Sequence, residues 1–196
     1  RCTSAACSSL ASTTTASADG VAALSAHAYF PPSVRRLSRR AGPAPRIDRR
    51  YPCPQLEDTS PEPIRAALEE RAGRLAAVAV EATRLSVPGR ALVLDEELAK
   101  GKPEAFVSGR EIAVLRPDGS VQLNLDPIWG QKVLDRGWAT IHPLARYLAG
   151  ALPPQSAIVY APRDEAELAA VLKILEAAHC LAVGRIGDVV LPDTAW

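Results

Sequence analysis

The stretch of sequence that decides the fold is GREIAVLRPDGSVQLNL, residues 109–125. Its first part is a short apolar run, and in its second part apolar and polar residues alternate, as in a strand with one buried face. Between the two parts lies RPDG, residues 116–119, with proline at the second turn position and glycine at the fourth, which a type I turn prefers. The stretch therefore predicts a β-hairpin with strands at residues 109–115 and 120–125.

After the hairpin, the sequence predicts a short helix, a strand and a long helix. An Asp-Pro pair starts a helix over residues 126–136, and Gly137 follows at the left-handed position that ends many helices. The apolar segment Ser156–Tyr160 predicts a strand in the centre of a sheet. The helix Asp164–Cys180 opens with a capping box, in which we expect Glu167 to bond back to the N–H of the cap residue.

Before the hairpin, apolar residues recur at helical spacing from Pro61 to Leu85. This spacing predicts one amphipathic helix, Pro61–Leu85, with Gly73 as the place where it bends. The short apolar segment Ala91–Leu94 predicts a strand. Together these elements predict an α+β domain over about residues 59–190. Its small antiparallel sheet should carry both long helices, Pro61–Leu85 and Asp164–Cys180, on one face.

Residues 1–50 differ in kind from the rest of the chain. They are rich in Ser, Thr, Ala, Pro and Arg, and no part of them keeps a helical or alternating apolar period for long. We therefore predict a disordered or extended tail over about residues 1–55, of which residues 1–50 pack little against the domain. Its Arg- and Ser-rich, acid-poor character resembles an organellar transit peptide, and a solvated linker is an equal alternative. The expected location is the cytoplasm, or an organelle matrix if the tail directs import.

Charge is distributed unevenly along the chain. Residues 1–50 hold eight arginines and two acidic residues, whereas residues 51–196 hold 15 basic and 20 acidic residues. This mildly acidic body argues against a broad nucleic-acid surface, because phosphate binding needs clustered positive charge. No apolar run reaches the roughly 18 residues of a membrane-spanning helix. The expected partner is therefore a small molecule, with neither nucleic acid nor a membrane-spanning segment.

The histidines and cysteines give no metal-binding pattern. Neither a CxxC nor an HExxH motif occurs, and the neighbours His179 and Cys180 have no second ligand pair at metal spacing. We therefore predict no metal and no cofactor. His142 lies in residues 137–145, which we expect to be neither helix nor strand, and a histidine placed there titrates near neutral pH. Two roles stay open for it at this point: ordering the loop through hydrogen bonds, or catalysis.

Four segments, taken in order, resemble the luciferase domain of fungal luciferases and of their uncharacterised bacterial relatives. They are residues 109–113, 117–123, 137–145 and 160–168, and the resemblance extends over about residues 90–182. The fungal members are cofactor-independent oxygenases that oxidise a hydroxylated pyrone through a high-energy peroxide, and the resemblance implies this activity. Most other members have no established activity.

An oxygenase of the kind that the resemblance implies needs a base, positive charge and a dry aromatic pocket. His142 is the candidate catalytic base. Arg110 and Arg163 are the candidates for holding the substrate anion and the peroxide formed from it. Trp138 and Tyr160 are the candidates for walling an aromatic ligand. Besides the loop-ordering role left open for His142, three of these groups have structural alternatives: an ion pair for each arginine, and a place in the core for the tryptophan.

The chain departs from the family at two positions. Fungal and many bacterial relatives carry histidine on the first hairpin strand where this chain has Val114 and Arg116. The resemblance therefore supports the fold more strongly than oxygenase activity. We expect a luciferase-like domain that binds a small aromatic or enolic molecule, and cofactor-independent oxygenation is its candidate activity. The alternative is a non-catalytic module that keeps the scaffold for binding a small molecule or another protein.

Overall fold

The computed structural model describes residues 32–145, 147, 152–153, 156–186 and 189–190. These residues form a six-stranded antiparallel sheet in the order β1-β2-β3-β4-β6-β5, a two-stranded ribbon, three longer helices and a short one. In chain order the elements are α1 (Pro32–Arg35), α2 (Glu62–Ala72), β1 (Val78–Ala82), β2 (Arg90–Leu94), a 3-10 turn (Pro103–Ala105), β3 (Glu111–Leu115), β4 (Val121–Asn124), α3 (Pro127–Asp135), β5 (Ala139–Ile141), β6 (Ser156–Val159), α4 (Glu165–Ala182), β7 (Arg185–Ile186) and β8 (Val189–Val190). The α+β class is confirmed.

The predicted hairpin is the centre of the sheet. The Gly119 N–H donates to the Arg116 carbonyl at 2.9 Å, which closes the expected turn. Strands β3 and β4 pair antiparallel, with Ala113 opposite Leu123. Every residue of the two strands is buried, because β2 and β6 flank the hairpin and other segments cover both of its faces.

The two helices that follow the hairpin, α3 and α4, begin where local signals in the sequence predict. The Asp126 carboxylate accepts from the Ile128 N–H at 2.9 Å, and Gly137 adopts φ 75° just after α3, as predicted. The Asp164 carboxylate likewise caps α4 by accepting from the Glu167 N–H at 2.8 Å. The prediction that the Glu167 carboxylate accepts a hydrogen bond from the Asp164 N–H is wrong. That carboxylate accepts instead from the Arg163 N–H at 3.0 Å, because it also binds the Arg163 guanidinium.

The prediction of one helix over residues 61–85 is wrong in its second half. Helix α2 ends at Ala72, and Gly73 turns the chain so closely that a Cβ there would lie 2.9 Å from Val80 Cγ2. The residues after the turn form β1, which pairs with β2 along its whole length. Valines at alternate positions, Val78 and Val80, suit a strand better than a helix. Val78 fits the helical spacing with Leu75 and Ala82 as well as the alternation with Val80, and pairing with β2 decides between them.

One face of the sheet is apolar and carries the helices. Ala113, Leu123 and Ala157 lie side by side across β3, β4 and β6, and α4 packs over β3 and β4. From α4, Leu168 and Leu175 are fully buried in this layer. Helix α2 packs against α4, and α1 packs against α4 and α3. This layer is the hydrophobic core of the domain.

The other face of the sheet, called here the polar face, is buried as well. Across it lie Val114, Gln122 and Ile158 in one row and Asn124 and Ser156 in the next, all at most 2% exposed. What covers part of this face is the N-terminal arm, defined as residues 34–60. The expectation that residues up to 50 pack little is therefore wrong for the described part of that segment.

The N-terminal arm is attached by an apolar anchor and by polar bonds to distant residues. Val34 and Leu37 are buried in the core, and the Trp138 indole N–H donates to the Ser38 carbonyl at 2.6 Å. Farther along, the Arg116 guanidinium donates to the Cys53 carbonyl at 2.7 Å. Such bonds leave no periodicity in the sequence, which is why the arm resembled a tail. Residues 1–31 of the predicted tail lie outside the described residues.

None of the helices in the described part of the chain has both the length and the apolar character that a membrane crossing requires.

Candidate functional site

A cleft of about 770 Å³ lies beside the edge strand β5. The N-terminal arm forms one wall with Pro45, Ile47 and Arg49. The opposite wall and the floor come from the sheet and from the segment after β5. They contribute Thr140, His142, Pro143, Tyr147 and Tyr160, with apolar contacts from Leu134, Ala139 and Ile141. The cleft therefore exists only where the arm meets the end of the sheet.

Strand alternation explains why the polar groups of the cleft converge. Thr140 lies opposite Ile158 on the polar face, and successive residues of a strand point to opposite faces. His142 and Tyr160, each two residues farther along, are therefore on the same face as Thr140. The His142 N–H donates to the Ser156 carbonyl at 2.8 Å, which continues the pairing of β5 with β6 by one residue.

The expectation that residues 137–145 contain no strand is wrong. Residues 139–141 form β5, which pairs with β6 only and so lies at the edge of the sheet. A three-residue strand is too short to show an alternating pattern, and its pairing with β6 holds it in place. Pro143 lacks an N–H and stands at the point where the pairing stops.

His142 is a buried, neutral imidazole. Its side chain is among the buried polar groups of the domain, with the residue 3% exposed. Burial, and next the positive charge of Arg116, lower the pKa of His142 from 6.5 to about 4. The Leu144 N–H donates to Nδ1 at 3.2 Å, so the proton of the neutral ring is on Nε2. At pH 7 the ring can therefore donate a hydrogen bond through Nε2.

Arg116 stands at one of the two positions where the resemblance led us to expect histidine. It is 5% exposed, and its guanidinium donates to the Cys53 carbonyl and, at 2.9 Å, to Gln122 Oε1. Burial lowers the pKa of Arg116, and the nearby charge of Asp118 opposes this effect. The other position, Val114, is fully buried on the same face. A cation and an apolar side chain thus lie at these two positions, on the face that holds His142.

Tyr160 is the predicted aromatic residue that does line the cleft. It is 5% exposed, and the Arg40 guanidinium lies 5.6 Å from the centre of its ring. Burial raises the pKa of Tyr160, although the Thr140 side chain and the Arg40 charge act in the opposite direction. Its hydroxyl therefore stays protonated at neutral pH and can hydrogen-bond a ligand.

The other three predicted site residues do not line this cleft. Arg110 immediately precedes β3, which β4 and β6 separate from β5, and it donates to the Leu94 carbonyl at 2.7 Å. Trp138 belongs to the hydrophobic core. The Arg163 guanidinium binds Glu167, as its structural alternative proposed. The structure thus brings together His142 and Tyr160 and leaves the three others outside.

Sequence reasoning missed Arg49. Because it belongs to the segment expected to be a tail, its place in the wall of the cleft could not be foreseen. The signal that could have suggested an ordered arm is the pair of prolines and the apolar Ile47 in the stretch PAPRI, residues 43–47. Within the described ranges, the structure contains no group of three or more His, Cys, Asp or Glu side chains that could hold a metal ion.

The fold and this site define a small α+β domain with a buried histidine at the end of its sheet. Residues 109–178 match the model of the luciferase domain family. Luciferases of Armillaria gallica and Armillaria mellea are each 39% identical to this chain over 71 residues. No solved structure gives a significant match. The resemblance to the luciferase domain family is thereby confirmed for this segment.

The match is confined to part of each protein. It covers 35% of this chain and 27% of each fungal luciferase. The matched residues 109–178 include Arg116, His142 and Tyr160, whereas the N-terminal arm lies outside them. The floor of the cleft therefore belongs to the family segment, and the wall that carries Arg49 does not.

Proposed function

We propose that this domain binds a small aromatic or enolic molecule in the cleft beside β5. The observation that carries the proposal is the convergence of three neutral polar groups, from Thr140, His142 and Tyr160, in a cleft with apolar walls such as Ile47 and Leu134. Ligand sites typically combine apolar walls with a few polar groups that fix orientation. A planar ring fits between such walls, and its oxygen atoms meet the polar groups.

In this role His142 acts as a hydrogen-bond donor. With a pKa of about 4 and with Nδ1 accepting from Leu144, the ring holds its proton on Nε2 at neutral pH. A general base works best when its pKa is near the working pH, and this imidazole is more than two units below it. The state of His142 thus favours binding without catalysis, which is the alternative function that the sequence left open.

The second candidate is a cofactor-independent oxygenase. The observation in its favour is the 39% identity to two fungal luciferases over 71 residues, together with the family match over residues 109–178, which include His142 and Tyr160. Such an enzyme needs a substrate anion that is rich enough in electrons to reduce oxygen. A substrate that arrives already ionised needs no base, and the N–H donor of His142 would hold its oxygen.

The test uses 4-hydroxy-6-methyl-2-pyrone, an enolic probe, with thermal unfolding and an oxygen electrode. A ligand at 100 times its Kd stabilises a protein by about 2.7 kcal/mol, so the melting temperature should rise by several degrees. The rise should disappear in His142→Ala and persist in the matched control His179→Asn. His179 lies on α4, where its Nε2 contacts the Ala76 carbonyl at 2.8 Å.

The two functions give different results in this experiment. Stabilisation without oxygen uptake supports the binding module, and oxygen uptake that His142→Ala abolishes supports the oxygenase. If neither the pyrone nor the flavonoid quercetin, as a polyphenol probe, raises the melting temperature, the proposal is wrong. It is also wrong if His142→Ala responds as the unchanged protein does.

A further inference from the structure

We infer that the cleft selects anions and that Arg49, from the N-terminal arm, is its specificity-determining residue. The inference rests on the proposed function, and it names the chemical class of the ligand: a small aromatic or enolic molecule with a negatively charged oxygen, such as an enolate, a phenolate or a carboxylate. It also replaces Arg110 and Arg163, the two arginines that the sequence offered for this task.

The first observation is the charge of the cleft. Of the described residues that line it, Arg49 carries the one charged side chain, and no carboxylate is among them. The remaining polar groups are the hydroxyls of Thr140, Tyr147 and Tyr160 and the imidazole of His142. All of these can donate a hydrogen bond to an anionic oxygen. Because the cleft has one cation and no anion, it attracts a negatively charged ligand more strongly than a neutral one.

The second observation is that Arg49 differs from two other arginines of the arm, Arg40 and Arg46, which form ion pairs. Arg46 pairs with Glu57 at 3.3 Å, and Arg40 lies 3.6 Å from Asp58. Among the described residues, Arg49 forms no ion pair, although its side chain is in the wall of the cleft. The carboxylate next to it in sequence, Asp48, accepts from the Arg50 N–H at 3.0 Å. The charge of Arg49 is therefore available to a ligand.

The third observation is a second cation behind the floor of the cleft. Arg116 is almost fully buried, and its two hydrogen bonds go to neutral oxygens, those of Cys53 and Gln122. Its Nε has no hydrogen-bond partner in the described part of the chain. The Asp118 carboxylate, two residues on, accepts from the N–H groups of Gln55 and Ser120 instead. The charge of Arg116 thus acts across the polar face, where water screens it weakly.

These observations assign different tasks to two parts of the chain. The segment that matches the family supplies the donors His142 and Tyr160, which hold the ligand oxygen. The arm supplies Arg49, which decides whether that oxygen must be charged. Since the arm lies outside the matched residues 109–178, the family match alone does not predict the preference for anions.

The experiment compares benzoate with benzamide, two probes of similar size and shape that differ in charge. Dissociation constants are measured by calorimetry on the full chain at low salt. We expect benzoate to bind at least 10-fold more tightly than benzamide. In Arg49→Gln this preference should fall to less than 3-fold, because benzoate weakens while benzamide does not change. The matched control Arg50→Gln removes the same charge one residue away and should keep the preference.

A second readout reports where the probe binds. A benzoate bound beside His142 offsets the positive field there, so the pKa of His142, followed by NMR of its ring protons, should rise on binding. If benzamide binds as tightly as benzoate, or if Arg49→Gln keeps the full preference, the inference is overturned while the proposed function stands. If neither probe binds, the inference fails, and the pyrone and quercetin measurements decide separately whether the proposed function stands.

Discussion

The two faces of the sheet are buried in different ways. On β4, Leu123 points into the apolar layer under α4, and its neighbour Gln122 points into the polar face. The apolar face is covered by helices, whose side chains pack against it through non-directional apolar contacts. The polar face is closed in part by the N-terminal arm, through directed bonds such as that from Arg116 to the Cys53 carbonyl.

This difference separates what folds the domain from what gives it a site. Apolar contacts stabilise roughly in proportion to the area they remove from water, and many side chains can supply them. Most buried polar groups in proteins have a hydrogen-bond partner, and on the polar face particular atoms of the arm supply such partners. The same dependence allows the face to hold a cation, Arg116, next to a neutral histidine.

The largest expected effect comes from removing the arm. A chain that starts at Pro61 loses the buried Val34 and Leu37, each worth about 1.5–3 kcal/mol. It also removes the Cys53 acceptor of Arg116 and the Ser38 acceptor of the Trp138 indole, at about 1–3 kcal/mol each. These losses approach the roughly 5–15 kcal/mol that holds a domain folded. We expect no cooperative transition in urea, followed by circular dichroism.

Retention of the full-length midpoint by the shortened chain would show that the polar face does not need the arm. It would also restore the prediction of an independent domain over about residues 59–190.

Local signals predicted the apolar face, and contacts between distant residues decided the rest. The hairpin, α3 and the start of α4 have turn and cap residues within four positions, so the sequence shows them. The sequence predicted helix where β1 lies because Val78 keeps helical spacing with Leu75 and Ala82, and only the pairing with β2 shows that these residues form a strand. Of the site, His142 and Tyr160 were foreseen. Arg49 was not, because its place depends on bonds such as that from the Ala161 N–H to Gln55 Oε1, 106 residues away.

On the apolar face, shortening one side chain should destabilise the domain without changing the site. Leu123→Ala removes a fully buried side chain from the core and should cost about 2–5 kcal/mol of unfolding free energy. Chemical denaturation measures the loss. The pKa of His142, followed by NMR under native conditions, should stay at about 4, because the burial of His142 and the charge of Arg116 are unchanged. A shift in that pKa would show that the two faces are coupled.

On the polar face, His142 should make stability depend on pH. In the unfolded chain its pKa is 6.5, and in the folded chain it is about 4. Between these values the unfolded state binds more protons, so the unfolding free energy falls as pH falls from about 6.5 to 4. The loss amounts to about 3 kcal/mol. Above pH 6.5 this contribution is fully present.

The variant His142→Asn tests this dependence. The Asn carbonyl can still accept from the Leu144 N–H, and an amide does not titrate in this range. Denaturation at a series of pH values should show that the variant loses about 3 kcal/mol less than the unchanged protein between pH 6.5 and 4. Parallel curves for the two proteins would contradict a buried, neutral histidine.

The smallest effect concerns the charge of Arg116. Gln122→Glu keeps the shape of the side chain and replaces the neutral acceptor of the Arg116 guanidinium with a carboxylate. This charge offsets that of Arg116, so the pKa of His142 should rise above 4. The rise should be less than about one unit, because burial is the larger cause of the lowered pKa. Gln131→Glu adds the same charge on the exposed side of α3 and should leave the pKa of His142 unchanged. If both variants shift this pKa equally, the overall charge of the surface controls the pKa of His142. The charge of Arg116 would then have no special effect on His142 across the polar face, contrary to the comparison of the two faces.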